Sequence, residues 1–362
     1  MPLPQREVRT YGLTMRRFLA IAAAAFIGLG SCATPVARPA GSFANPVLDA
    51  DFPDPAVLKA PDGNYYAYAT QTQRDGKWIN IQLARSADLV HWDYVGDALP
   101  AKPGWAATTQ DFWAPDVVRD GGRYIMYYSA KPDTSDERHG LCLGAATAAS
   151  PLGPFVDMGR PLQCGPGFVN IDPMAFDDPA TGKRLLYWGS GFAPIKVQEL
   201  APDRLSFAPG SAPKDLVGPN PTKEAFPVLV EGAWVIRHGE HYYLFYSGDN
   251  CCGPKANYAV MVARSRSATG PFETLEQASG KPHSIVLEKG GNWFAPGHNS
   301  IVTDAAGQHW IVYHAVDIRR PREKATDEIN TRRIMLIDRI KWVEGWPAIE
   351  GPSTLPLRAP LP

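Results

Sequence analysis

DPAVLKAPDGNYYAYAT, residues 54–70, reads as a short apolar strand, a polar turn and an aromatic-rich strand that ends in a small residue. The same phrase returns four times. It appears as WAPDVVRDGGRYIMYYSA (113–130), DPMAFDDPATGKRLLYWGS (172–190), EGAWVIRHGEHYYLFYSG (231–248) and HNSIVTDAAGQHWIVYHA (298–315). The lead residues recur at intervals of 59, 59, 59 and 67. A fixed period of this size is the signature of stacked supersecondary units. Each aromatic strand is followed by a further strand-like run, at 79–85, 141–147, 195–200, 258–264 and 334–340. Three or four antiparallel strands per repeat is the content of a propeller blade. The sequence therefore predicts an all-β fold, a five-bladed β-propeller over 43–352, as a single domain after an N-terminal signal segment. A sandwich of the same strands would leave the fixed register unexplained. No segment of 12 residues after the leader has helical periodicity.

Composition agrees. The 362 residues include 33 glycines and 35 prolines, and the proline share is about twice the usual one, which suits many short elements and tight turns. The 36 Lys and Arg balance 37 Asp and Glu, which argues against a phosphate-tracking nucleic-acid binder. No nucleic acid is expected as a partner.

Residues 18–30 form the one run apolar enough to enter a membrane, and at 13 residues they are too short to span it. Arg16 and Arg17 precede the run and Leu29-Gly30-Ser31-Cys32 follows it. A basic start, a short apolar stretch and a small-residue exit describe an export leader over 1–33, with Met15 as its start. Cys32 closes a lipobox-like phrase, so the expectation is a periplasmic or outer-membrane lipoprotein, or else a secreted protein cut after Ala33. The only membrane contact expected is a lipid anchor at Cys32. Residues 34–42 read as a linker and 353–362 as a C-terminal tail. Cys142, Cys164, Cys251 and Cys252 remain. Four cysteines allow three pairings that the sequence does not separate; the adjacent Cys251 and Cys252 have two readings, a disulfide between neighbours and buried free thiols, of which the second is preferred.

In a propeller, equivalent positions of the innermost strands ring one axis. Here they are Asp54, Trp113, Asp172, Glu231 and His298. Stability alone would not crowd three carboxylates into one funnel, because ionised neighbours repel and lose hydration. Three acids without a Cys/His cage suit acetal hydrolysis, in which one carboxyl protonates the leaving oxygen and another activates water. The third can hold its neighbour's pKa high. Competing readings are a calcium site made of the same acids and an inert glycan-binding propeller. No Gly-x-Ser-x-Gly elbow or dinucleotide loop is present.

With these residues in view, the sequence resembles glycoside hydrolase family 43. The matching motifs are FPDPAV (52–57), SADLVHW (86–92), FWAPDV (112–117), NIDPMAF (170–176), VEGAWV (230–235), GHNSIV (297–302) and RRIMLIDRIKWVEGWP (332–347). The resemblance implies an inverting hydrolase of oligo- and polysaccharides with Asp54 as general base, Asp172 as pKa modulator and Glu231 as general acid. The place of Trp113 in the ring gives it a sugar-facing role, with a core aromatic as the alternative; the resemblance adds substrate binding by His298 and Arg333, with Arg332 as the rival for the last role. It gives His298 two readings: holding a metal-bound water or a calcium ion at the axis, or orienting a carboxylate as a neutral imidazole. No cofactor is required, and a structural calcium is the one ion considered. Asp116 is expected to be a structural acid beneath the channel. GHNSIV, and the absence of chain for a further sandwich domain, favour arabinose release (arabinofuranosidase or arabinanase-like) over β-xylosidase activity. The 67-residue interval predicts additional chain in the fourth blade between 249 and 292.

Overall fold

The computed structural model describes residues 41–361 apart from 135–139, 190, 221–225 and 325–330. The leader, Cys32 and nearly all of the linker lie outside the described residues. Five antiparallel sheets follow one another along the chain. Blade 1 comprises Ala56–Lys59, Tyr65–Ala69, Gln82–Ser86 and Trp92–Asp97. Blade 2 is built on Trp113–Asp120, Arg123–Ala130 and Cys142–Ala148, and blade 3 on Met174–Asp177, Arg184–Trp188 and Lys196–Glu199. Blade 4 uses Val230–His238, His241–Asn250 and Asn257–Ser265, and blade 5 uses Trp293–Thr303, His309–Asp317 and Arg333–Val343. A fourth outer strand completes blades 3 and 5, and two short strands share the outer edge of blades 2 and 4. This is the expected five-bladed all-β propeller.

The aromatic second strands form the interior because both of their faces are covered by neighbouring blades. Tyr65, Tyr68, Tyr127, Tyr128, Tyr187, Trp188, Tyr243 and Tyr313 are all fully buried. Buried tyrosines need partners. The Tyr68, Tyr127 and Tyr187 hydroxyls donate to the carbonyls of Pro151, Arg204 and Ala268. Each of these bonds crosses from one blade to its neighbour or to that neighbour's outer edge.

The ring closes between blades 5 and 1 without a shared sheet. Asn45 exchanges hydrogen bonds with the Ile337 backbone, Phe52 N–H donates to the Arg333 carbonyl, and Phe43, Phe52 and Val57 pack with Val312, Met335 and Ile337. Leu357–Arg358 pairs with Ser42–Phe43, so the last residues of the chain fasten the first described ones.

The additional chain in blade 4 holds a five-residue α-helix, Leu275–Ser279, the only α-helix among the described residues. A Thr274/Gln277 capping box starts it and Gly280, in the left-handed region, ends it. Cys142 and Cys164, directly opposite each other on paired strands, form a disulfide. The reading of the adjacent pair as free thiols is corrected, because Cys251 and Cys252 are bonded to each other.

Candidate active site

Each innermost strand enters the axis through one residue with positive φ: Asp54 (57°), Ala114 (43°), Asp172 (55°), Gly232 (62°) and His298 (47°). Such backbone is uncommon for residues other than glycine and concentrates at functional sites. Two predicted ring positions therefore move. Trp113 and Glu231 each stand one residue before the kink, where a β-bulge lets them pair with Ser129 and Ser247. The displacement follows from turn length. The hairpin turn after the first strand spans 60–64 in blade 1 but two residues in blades 2 and 4, so counting back from the tyrosines lands one residue early.

The kinked backbone is held by the small residue that ends the preceding blade's aromatic strand. Ala114 N–H donates to Thr70 Oγ1 (2.8 Å), Asp172 N–H to Ser129 Oγ (3.1 Å), His298 N–H to Ser247 Oγ (2.8 Å) and Asp54 N–H to His314 Nδ1 (3.1 Å). Blade 3 offers only Gly189 at that place. The Asp172 carboxylate fills in, with Oδ2 accepting from Gly232 N–H at 3.0 Å.

All three acids are at least nine-tenths buried: Asp54 is 6% exposed, Asp172 6% and Glu231 9%. Their surroundings differ in sign. Around Asp54, burial alone would raise the pKa, but Arg333, His298 and His314 outweigh it and hold the carboxyl well below its usual range. Arg333 Nη1 donates to Asp54 Oδ1 at 3.0 Å and Thr70 Oγ1 donates to Oδ2 at 2.5 Å. His298 Nδ1 lies 3.4 Å from Asp54 Oδ1 and 3.9 Å from Asp172 Oδ2.

Glu231 is pushed the other way, to about 7, first by burial and then by the charge of Asp54 and Asp249, while the Tyr258 hydroxyl and Arg333 oppose the rise. Asp172 is raised too, by burial and then by Glu231 and Asp54. Asp172 was expected to lift Glu231 by repulsion. Burial comes first for both acids, and Glu231 acts on Asp172 in turn.

Of the substrate-binding candidates, Arg333 and His298 reach the acids. Arg332 turns away to the Asp49 carboxylate and carbonyl. Trp113 is half-buried beside the Ala114 kink. Asp116 is the structural acid expected: buried, its pKa raised to about 7 by burial, with Oδ2 accepting from Ala175 N–H of the next blade. Beneath the acids a cavity with room for about one water is lined by Pro55, Pro115, Asp116, Pro173, Trp234 and Asn299. Among the described residues no group of three His, Cys, Asp or Glu could hold a metal ion. An axial calcium would thus take much of its coordination from water, and Asn299, whose buried amide atoms have no protein partner, suits a hydrated axis.

Sequence reasoning missed Tyr258, whose hydroxyl donates to Glu231 Oε1 at 2.7 Å, and His314, fully buried beside Asp54. His314 had a signal, since it occupies the end of the fifth aromatic strand where Thr70, Ser129 and Ser247 stand. Tyr258 had none, because it opens a third strand.

The acids lie at the face where the innermost strands begin. Phe168, four residues before Asp172, and Phe192, just beyond the blade 3 aromatic strand, meet edge-to-face at that same face (5.8 Å). Phe192 is 60% exposed and also has positive φ.

Comparison with known proteins agrees with this geometry. A probable arabinan endo-1,5-α-L-arabinosidase A of Aspergillus fumigatus is 28% identical over 352 residues, spanning 91% of this chain and all of that one. An extracellular exo-α-(1→5)-L-arabinofuranosidase of Cellvibrio japonicus is 25% identical, over 83% of this chain and 86% of its own. The crystal structure of a thermostable family-43 glycoside hydrolase superposes with a TM-score of 0.70 at 28% identity, covering 88% of this chain and 99% of the other. The family described as glycosyl hydrolases family 43 matches residues 43–347. With its five blades and its buried acids, the chain belongs to that family of inverting glycoside hydrolases.

Proposed function

We propose that this hydrolase releases arabinose from α-L-arabinofuranosidic linkages of arabinan or its oligosaccharides. The observation that carries the acid–base assignment is the opposite perturbation of buried carboxyls around one axis: Asp54 driven down, Glu231 and Asp172 driven up. Environments that push pKa values apart separate base from acid. Asp54, ionised and steadied by Arg333 and Thr70, takes the proton of the attacking water. Glu231, still protonated near neutral pH, gives its proton to the leaving oxygen. Water enters opposite the departing group, so the anomeric configuration inverts. Asp172 raises the pair's last proton loss and, by its bond to Gly232 N–H, fixes the backbone beside Glu231. Arg333 and His298, beside the acids, are assigned to sugar hydroxyls, and Trp113 to a flat face for a single pentose.

The arabinan-directed names of the relatives support the substrate. The word extracellular in one of those names and the Cys142–Cys164 disulfide support export, since such bonds persist in oxidising compartments. Steady-state kinetics on aryl α-L-arabinofuranoside, aryl β-D-xyloside and arabinan, with Glu231→Gln as background, tests the reading. The arabinofuranoside should have the higher kcat/KM of the two aryl pentosides. A larger value for the xyloside would overturn the substrate choice, and no turnover of any of the three would overturn hydrolysis of pentosides.

A further inference from the structure

Glu231 has two oxygens, and only one can deliver its proton to the substrate. Oε1 accepts the Tyr258 hydroxyl, whereas Oε2 has no protein partner among the described residues. The Tyr258 phenol keeps its proton, because burial and the nearby charges of Glu231, Asp172 and Asp54 all raise its pKa, so it is a fixed donor. An oxygen already accepting a hydrogen bond cannot hold its own proton in that direction. We propose that Tyr258 is a positioning residue that assigns the catalytic proton of Glu231 to Oε2 and aims that oxygen at the leaving group. The inference rests on Glu231 being the general acid.

The surroundings are built to hold the ring. A Cβ on Gly297 would lie 2.0 Å from Tyr258 Cδ1, so the glycine of the GHNSIV motif makes room for it. On another side the His314 imidazole lies parallel to the ring, 4° between planes and 5.8 Å between centroids. Ala256, Ala295, Phe294 and Cys251 close the remainder. His314 also accepts the Asp54 N–H, so one stacked pair touches both acid and base. The charged groups acting on Glu231 are Asp54, Asp172, Asp249 and Arg333, from four blades, and Tyr258 is the one neutral donor among its partners.

The sign of the effect is fixed. A donor on Oε1 favours the carboxylate over the acid, so Tyr258→Phe raises the pKa of Glu231 and moves the alkaline limb of kcat/KM upward. A hydrogen bond to a charged group corresponds to about one to two pH units. The proton is then free to occupy either oxygen. Turnover of an unsubstituted phenyl arabinofuranoside, which needs protonation, should fall about tenfold or more. The 2,4-dinitrophenyl analogue, which leaves without a proton, should change far less. Site-specific 3-fluorotyrosine at 258, a stronger donor, should move the limb to lower pH, and it decides the matter if Tyr258→Phe does not fold. An unmoved limb with equal losses on both substrates would overturn the proposal and leave the acid assignment standing. Wild-type turnover of the phenyl substrate that Glu231→Gln leaves intact would overturn both.

Discussion

Replacing Glu231 by Gln should abolish the acid and make the protein more stable, with a pH dependence that gives the reason. Glu231 is nine-tenths buried and its pKa rises from 4.5 to about 7. Between those values the folded protein binds a proton that the unfolded chain has released. Stability therefore falls as pH climbs through this window and stays low above it. At 1.36 kcal/mol per pKa unit, the cost above pH 7 is about 3 kcal/mol. Gln has nearly the same shape, carries no charge, and its amide oxygen can still accept the Tyr258 hydroxyl. Urea or thermal unfolding of both proteins at pH 4.5, 6 and 8 measures the difference. The curves should coincide at pH 4.5 and separate by about 3 kcal/mol at pH 8, on the order of 5 °C in Tm for a domain of this size. Equal stability at pH 8, or a variant less stable at every pH, would refute the claim that burial holds this carboxyl protonated.

Asp172→Asn should shift the alkaline limb of kcat/KM to lower pH, because the pair's final proton loss no longer works against a second carboxylate; a limb that stays put removes the modulator role. Arg333→Met removes the cation at 3.0 Å from Asp54, so the acidic limb should move to higher pH and kcat/KM should drop at pH 5 more than at pH 7. Phe192→Ala should raise KM for arabinan several-fold more than for the aryl arabinofuranoside, consistent with about 0.5–1.5 kcal/mol from an aromatic contact; equal effects on both would detach the Phe168–Phe192 pair from polymer binding.

The blades were legible because each must bury an aromatic strand between two neighbours, and that requirement writes Tyr-rich runs at nearly equal intervals. The acids were legible because nothing in packing explains three carboxylates at the heads of such repeats. The register of Trp113 and Glu231 was not. Tyr242 faces a residue five positions back, Arg237, whereas Tyr65 faces one six back, Lys59, so the same count from the tyrosine ends one residue outside the kink. Thr70 was illegible for a different reason: its role depends on which blade ends beside which, and no local spacing encodes contact across a blade boundary. Tyr258 stands on the third strand of Glu231's own blade, where the repeat of lead residues and aromatic strands does not reach. The bond between Cys251 and Cys252 was one of two readings open to adjacent cysteines, and the ordinary frequency of buried thiols favoured the other.

The two ends of the described chain meet at one edge. Ala359 N–H donates to the Gly41 carbonyl, and Leu361 is bound to Asp304 and Ala305 in the turn that links the first two strands of blade 5. That turn lies at the far end of the strand that begins near His298, and a chain of two residues reaches no more than about 7 Å. Gly41 and Leu361 therefore leave the propeller on the side away from the acids. A bead or electrode coupled at Gly41 or at Leu361 would sit on that side, and the immobilised enzyme would present its acids to bulk polymer without an engineered spacer.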